Sequence, residues 1–136
     1  MNLDIIKNLN KPFYIILDSD KNGSNDISNT RLTLIALQYK EGEDFHVTRK
    51  REMENYIIPS YFSRQTPPIN IEYNDWEDVK QICKSHIESG RLGGKNVLGK
   101  HFNNLTYSEL KATFDPTNQD DEFLKIYNNI KNKIES

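Results

Sequence analysis

Phe13-Tyr14-Ile15-Ile16-Leu17-Asp18-Ser19-Asp20 is an apolar run that closes on two carboxylates. Aromatic and Ile-rich stretches of this length read as buried strands. Open parallel sheets place their ligands at the carboxyl ends of strands, which is where Asp18 and Asp20 stand. In extended backbone an i, i+2 pair projects to one face. Two hard oxygen donors on one face can converge on a divalent cation. The plain alternative is a strand running into an Asp/Ser/Asn turn.

Working outward, Asp18 to Asn25 contains Gly23 and reads as a loop. Asp26 or Ser28 then caps a helix running to about Tyr39, with Ile27, Leu32, Ile35, Ala36 and Tyr39 roughly on one face. Phe45 to Thr48 is a second strand. The order strand, helix, strand predicts a right-handed crossover and a parallel pair. Residues 3 to 9 read as a short helix or loose lead-in, Pro59 as a stop, and Pro67-Pro68 as a loop.

The second half reads as helical. Trp76, Val79, Ile82, Cys83 and Ile87 repeat with helical period behind a cap at Asn74 or Asp75, and Gly90 ends that helix. Gly93 to Leu105 is expected to form another helix with Val97, Leu98 and Phe102 inward. Thr106 and Glu109 have capping-box spacing. Phe123, Ile126, Tyr127, Ile130 and Ile134 form an apolar stripe expected to pack in the core.

The chain has 136 residues, enough for one domain with a core. Its formal net charge is −2, so bulk charge does not mark a nucleic-acid binder. Charge is uneven, though. Between Val79 and His101, Lys80, Lys84, Arg91, Lys95 and Lys100 face one acid, Glu88, and Arg49-Lys50-Arg51 forms a second basic knot. Such local patches can face phosphates. Cys83 is alone, which rules out a disulfide framework or cysteine metal site and fits a reducing cytoplasm. No apolar run approaches the roughly 20 residues of a membrane span. The N-terminus lacks a basic-then-apolar signal pattern.

Three chemistries begin with Asp-x-Asp. A calcium loop matches at Asp18, Asp20, Asn22, Gly23 and Asp26, but Asn29 stands where the bidentate Glu belongs, and a strand precedes the loop. A phosphohydrolase with an aspartyl nucleophile wants Thr or Val where Asn22 stands. A metal-dependent nuclease needs hard carboxylates at strand ends to hold Mg²⁺-type ions. A Lys or Arg then steadies transition-state charge.

Thr48-Arg49-Lys50-Arg51-Glu52-Met53-Glu54-Asn55-Tyr56-Ile57-Ile58-Pro59 follows the second strand. Taken with Leu17-Asp18-Ser19-Asp20, it resembles the Toprim domain of the OLD (overcoming-lysogenisation-defect) ATP-dependent nucleases over residues 13 to 60. The resemblance implies an α/β fold: a small Rossmann-like, mostly parallel sheet flanked by helices, with a helical C-terminal part. It implies one Toprim-like domain, with residues 1–12 as lead-in, 13–60 as core and 74–136 mainly helical. Asp18 and Asp20 would ligate Mg²⁺ or Mn²⁺, and Glu52 or Glu54 would be a further acidic member. The family's lysine on a Gly-Lys segment would be Lys95 or Lys100. DNA would be the substrate, gripped through its phosphate backbone. An ATPase domain or subunit would be the partner, and no membrane is involved.

Two departures accompany the resemblance. The family carries a Glu ahead of Asp-x-Asp, whereas the only acid before Phe13 is Asp4. No ATPase region is present: Gly90 to Asn96 fails as a P-loop at Ser89 and Asn96. A fragment or shortened form of a larger protein is therefore expected. The competing expectation is a non-catalytic module that binds a partner or nucleic acid through a degenerate site. If Glu52 and Glu54 lay on a helix they would diverge by about 200°, and only one could line the site. Their bland reading is a solvated edge, with Arg51 and Glu52 paired at the surface. Tyr56 and Ile57 read as core, Cys83 as a buried thiol, and His46 as an orienting or packing residue. His46, His86 and His101 lack zinc spacing.

Overall fold

A computed structural model describes residues 11–92 and 98–135. The fold is mixed α/β: a small two-stranded parallel sheet with helices. Strand β1 is Ile15–Leu17 and strand β2 is Phe45–Val47, in the register Ile15↔Phe45, Ile16↔His46, Leu17↔Val47. The pair is locked at both ends, where Ile15 N donates to Asp44 O (3.0 Å) and Thr48 N to Leu17 O (3.0 Å). Both strands lie inside the expected ranges, and they are parallel as the strand–helix–strand order predicts.

The crossover helix α1, Asn29–Ala36, starts on Ser28, whose hydroxyl accepts from Arg31 N at 3.2 Å. Of the two expected caps, Ser28 is therefore the one used. The helix stops short of Tyr39 because Gln38 turns left-handed, with φ 69. Leu34 is its buried residue and packs with Ile15, Phe45 and Val47. Ile27, Leu32 and Ile35 are exposed.

A larger core follows the sheet. After a 3₁₀ turn, Met53–Tyr56, come α2 (Pro59–Ser63), α3 (Val79–Ile82) and α4 (Lys84–Glu88), then a 3₁₀ segment, Leu98–Asn104. Ile57, Tyr61, Phe62, Ile69, Val79, Cys83, Leu92 and Leu98 are buried together, with Phe102 and Leu105 against them. Pro59 acts here as an opener: it occupies the first turn of α2, where its missing N–H costs nothing. The expected helix 76–87 is broken at Cys83 into α3 and α4, and its cap is Asp78, not Asn74 or Asp75. Asp78 Oδ1 accepts from Gln81 N at 3.1 Å. Gly90, at φ 79, ends α4 as expected. Residues 93–97, including Val97, lie outside the described residues.

Helix α5, Tyr107–Phe114, opens on the expected capping box, with Glu109 N on Thr106 Oγ1 (3.2 Å) and Thr106 N on Glu109 Oε1 (3.0 Å). Helix α6, Glu122–Glu135, is the longest. Its stripe does not pack in the core as expected: Phe123, Tyr127 and Ile134 are 61%, 57% and 70% exposed. The buried residue of α6 is Glu122. The helix is fastened by a charged anchor at its first turn, and a 3.6-residue period alone does not say what covers a face. Among the described residues, no helix is long and apolar enough to cross a membrane.

Candidate functional site

The site begins where β1 stops pairing. Asp18 is half-buried, and its Oδ1 accepts the Met53 N–H at 2.9 Å. Ser19 turns inward: its N–H donates to Thr48 Oγ1 (3.1 Å) and its hydroxyl to Lys50 O (2.7 Å). Asp20 N donates to Arg51 O at 2.9 Å while Asp20 itself sits at φ 55. The backbone therefore does not stay extended through the pair. Asp is among the few side chains that tolerate this region. Asp20 is exposed at the rim, yet its charge still acts on Asp18.

The acids after β2 complete the cluster. Glu52 is extended, at φ −141 and ψ 167, and Met53–Tyr56 then winds as a 3₁₀ turn. Glu52 and Glu54 therefore do not share a helix, the arrangement in which only one of them could line the site. Both act on the same neighbourhood: Glu54 raises Asp18 and Glu52, and Asp18 raises Glu52. The Asp18 carboxyl is held above its usual range first by burial, then by Glu54 and Asp20, against the Met53 N–H and Lys80. Glu52 is likewise raised, first by burial and then by Glu54, with Lys80 opposing. Glu52 Oε2 and Glu54 Oε2 are buried without a hydrogen-bond partner. Unsatisfied buried carboxylate oxygens are costly and call for a donor or a cation.

Asn55 is the fastener of this edge. It is buried; its Oδ1 accepts from Glu52 N (3.1 Å), and its Nδ2 donates to Asn74 O (3.1 Å) and Glu77 O (2.9 Å). Glu52 is thereby tied to the segment that leads into α3. From α3, Lys80 Nζ reaches to 3.7 Å from Glu54 Oε1. Lys80 is the cation acting on Asp18 and Glu52; the sequence places it in the basic patch of Val79 to His101 and gives it no role at this edge. It stands one residue beyond buried Val79, on the solvent side of its helix, a position with no motif attached. Lys100 is exposed on the 3₁₀ segment, and Lys95 lies outside the described residues.

The basic knot does not wait for phosphate as its charge suggests. Lys50 pairs with Asp75 (3.0 Å), Arg51 bonds Asn22 Oδ1, and Arg49 grips Glu122 and Asp120. The expected Arg51–Glu52 surface pair is replaced by the Arg51–Asn22 contact.

Comparison with known protein families, curated proteins and solved structures returned no match.

A second buried carboxylate lies nearby. Glu122 Oε2 meets His46 Nε2 at 2.5 Å and accepts Arg49 N–H at 3.0 Å; its Oε1 accepts from Tyr56 Oη and from Arg49 Nε at 3.2 Å. Burial works against its charge, but the His46, Tyr56 and Arg49 hydrogen bonds hold its carboxyl below the usual range. Tyr56 also stacks on Phe114 at 4.4 Å and is fully buried, in keeping with the core reading; burial raises its phenol, and Glu122 raises it further. His46, buried and bonded to Glu122, fits the orienting or packing role expected of it. His101 is structural as well, bonded to Tyr61 Oη (2.5 Å) and Leu92 O (3.1 Å). Burial lifts the Cys83 thiol to about 11, which makes it an inert core group.

Among the described residues, no three His, Cys, Asp or Glu side chains stand close enough together to hold a metal ion. The edge gathers acids to electrostatic range without closing them to ligand distance.

Proposed function

We propose that the chain is a Toprim-like, Mg²⁺- or Mn²⁺-dependent nuclease domain acting on DNA phosphodiesters, with a Rossmann-like core of the kind found in OLD proteins. The observation that carries this reading is the pair of buried, unpartnered oxygens, Glu52 Oε2 and Glu54 Oε2, beside the raised carboxyl of Asp18. Two unpartnered carboxylate oxygens beside a third acid are the kind of hard donors that a divalent cation takes. Asp18 and Asp20 would be its ligands and Glu52 or Glu54 a further acid, and the ion would have to draw them together, since they do not stand at ligand spacing. A bound ion of this class supplies a nucleophilic hydroxide and stabilises the leaving oxygen. The chain's own work is to hold the donors: Asp18 through the Met53 N–H, Glu52 through Asn55. An ATPase domain or subunit remains the proposed partner.

A second reading, a non-catalytic module binding a partner or nucleic acid, is favoured by one observation: the acids stand apart and are not at ligand spacing. Plasmid DNA incubated with Mn²⁺ or Mg²⁺ separates the two. Cleavage by wild type and not by Asp18→Ala/Asp20→Ala supports the nuclease. Absence of cleavage together with absence of Mn²⁺ binding by calorimetry leaves the module.

A further inference from the structure

The outer edge of β1 and one flank of α6 open on the same side of the molecule. Ile15 and Leu17 direct their main-chain groups to β2, so those of Tyr14, Ile16 and Asp18 point the other way, where no strand among the described residues pairs with them. Tyr14 and Ile16 also share the face of the sheet that α6 covers: Tyr14 Oη accepts from Asn129 Nδ2 at 3.0 Å. Ile16 lies beside His46, which is buried under α6, yet is itself 42% exposed. Along α6, Phe123, Tyr127, Ile130 and Ile134 follow the alternating four- and three-residue steps of a helix–helix seam. The seam lies on the β1 side. Ile130 and Ile134 line a cleft with Pro12, Phe13 and Tyr14, whereas Asn129 and Asn132 line one with Gly42 and Glu43 ahead of β2.

We propose that this side is the interface of a symmetric dimer, in which the two β1 edges pair antiparallel, Ile16 opposite Ile16 of the second copy, into one four-stranded sheet. Charge selects the occupant and its direction. Lys11 stands before β1 and Asp18 and Asp20 after it, while Lys21 is turned to Ser24 O and the Trp76 ring. An antiparallel second copy brings each basic end to an acidic end, twice by symmetry; a parallel copy would set like charges together. Spacing agrees. Helix α6 bonds to both strands, through Tyr14 on the β1 side and His46 on β2. With strands about 4.8 Å apart, two helices each centred on its own strand pair lie roughly 10 Å apart, the distance at which helices pack. The two seams then face each other across the junction and cover both Ile16 side chains. Pro12, which has no N–H, ends the ladder before Tyr14.

The test is analytical ultracentrifugation of the full chain from about 1 to about 200 µM, comparing wild type, Ile16→Glu, Ile16→Lys and an equimolar mixture of the two variants. Wild type should dimerise with a Kd of roughly 10 µM. Each variant alone sets like charges opposite each other at the symmetry axis and should dimerise at least about tenfold more weakly. The mixture pairs opposite charges and should associate at least about tenfold more tightly than either variant alone, a rescue that misfolding cannot imitate. As wild-type concentration rises, amide exchange at Ile16 and Asp18 should slow. A wild-type monomer across the whole range overturns the proposal and leaves the edge to a strand of another protein. Variants that dimerise as tightly as wild type, or a mixture that stays as weak as its parts, overturn it too.

Discussion

Glu122 and Glu54 are both glutamates drawn in from solvent at one 3₁₀ turn: Glu54 lies within Met53–Tyr56, and Glu122 accepts from its Tyr56. Glu122 has both oxygens engaged, by His46, Tyr56 and Arg49. Glu54 has one oxygen near Lys80 and the other without a donor, and Glu52 beside it repeats the defect. A satisfied buried carboxylate ties elements together; an unsatisfied one stores a demand for positive charge. The Glu122 knot therefore reads as architecture, and the edge at Asp18 as a place prepared for something else.

Breaking the knot should have the largest effect. Glu122→Ala removes the shared partner of His46, Tyr56 and Arg49 and should cost roughly 3–5 kcal/mol, measured by urea unfolding. A loss below about 1 kcal/mol would mean that the knot is not the anchor of α6. On the edge, Asp18→Asn keeps the bond to the Met53 N–H and removes a charge that its surroundings disfavour. It should bind Mn²⁺ more than about tenfold more weakly, the scale seen even for residues that only support a metal ligand. Without metal it should instead be more stable, by roughly 0.5 kcal/mol after solvent screening is allowed for. A variant that loses both metal and stability would erase the contrast between the two regions.

The two regions also have opposite pH slopes. Glu122 is lowered in the folded chain, so its contribution is present above the unfolded Glu value and is lost as pH falls through the folded one. Asp18 and Glu52 are raised, so their carboxyls favour the fold in their protonated form, below the unfolded values; that contribution is lost as pH rises through the folded ones. The stability advantage of Asp18→Asn/Glu52→Gln over wild type should therefore be greatest near neutrality and vanish in acid. Denaturation curves at pH 7 and at about pH 4 check this; an advantage that grows in acid would reverse the assignment. The smallest effect is expected at Lys100→Ala, which should leave stability within about 0.5 kcal/mol and Mn²⁺ binding unchanged. Loss of DNA cleavage in that variant would assign it the phosphate-steadying role expected of Lys95 or Lys100.

What the sequence announced follows from local rules. Phe13 to Leu17 and Phe45 to Thr48, joined by one helix, give a parallel pair because a crossover leaves few other arrangements. Ser28, Thr106 and Gly90 are legible because capping needs particular side chains at particular places. Asp18 and Asp20 were legible as acids at a strand end, and Glu52 or Glu54 only through the resemblance. Long-range bonds were not: Arg49 and Glu122 are 73 residues apart, and nothing local in either announces the other. The period of α6 showed an apolar face and could not show that Glu122, not that face, would be buried. Lys80 stands in the sequence only as one base of a patch; its approach to Glu54 joins two elements far apart in the chain, which no local pattern announces.

Asn55 carries a consequence for motion. Its one side chain joins the 3₁₀ turn to the segment entering α3, so Glu52, Glu54 and Lys80 share a hinge pin. Amide hydrogen exchange around Met53–Tyr56 and Asn74–Lys80 should then open as a single cooperative unit, with matched protection. Asn55→Ala would uncouple the two halves into separately exchanging segments while β1 and β2 keep their own rate.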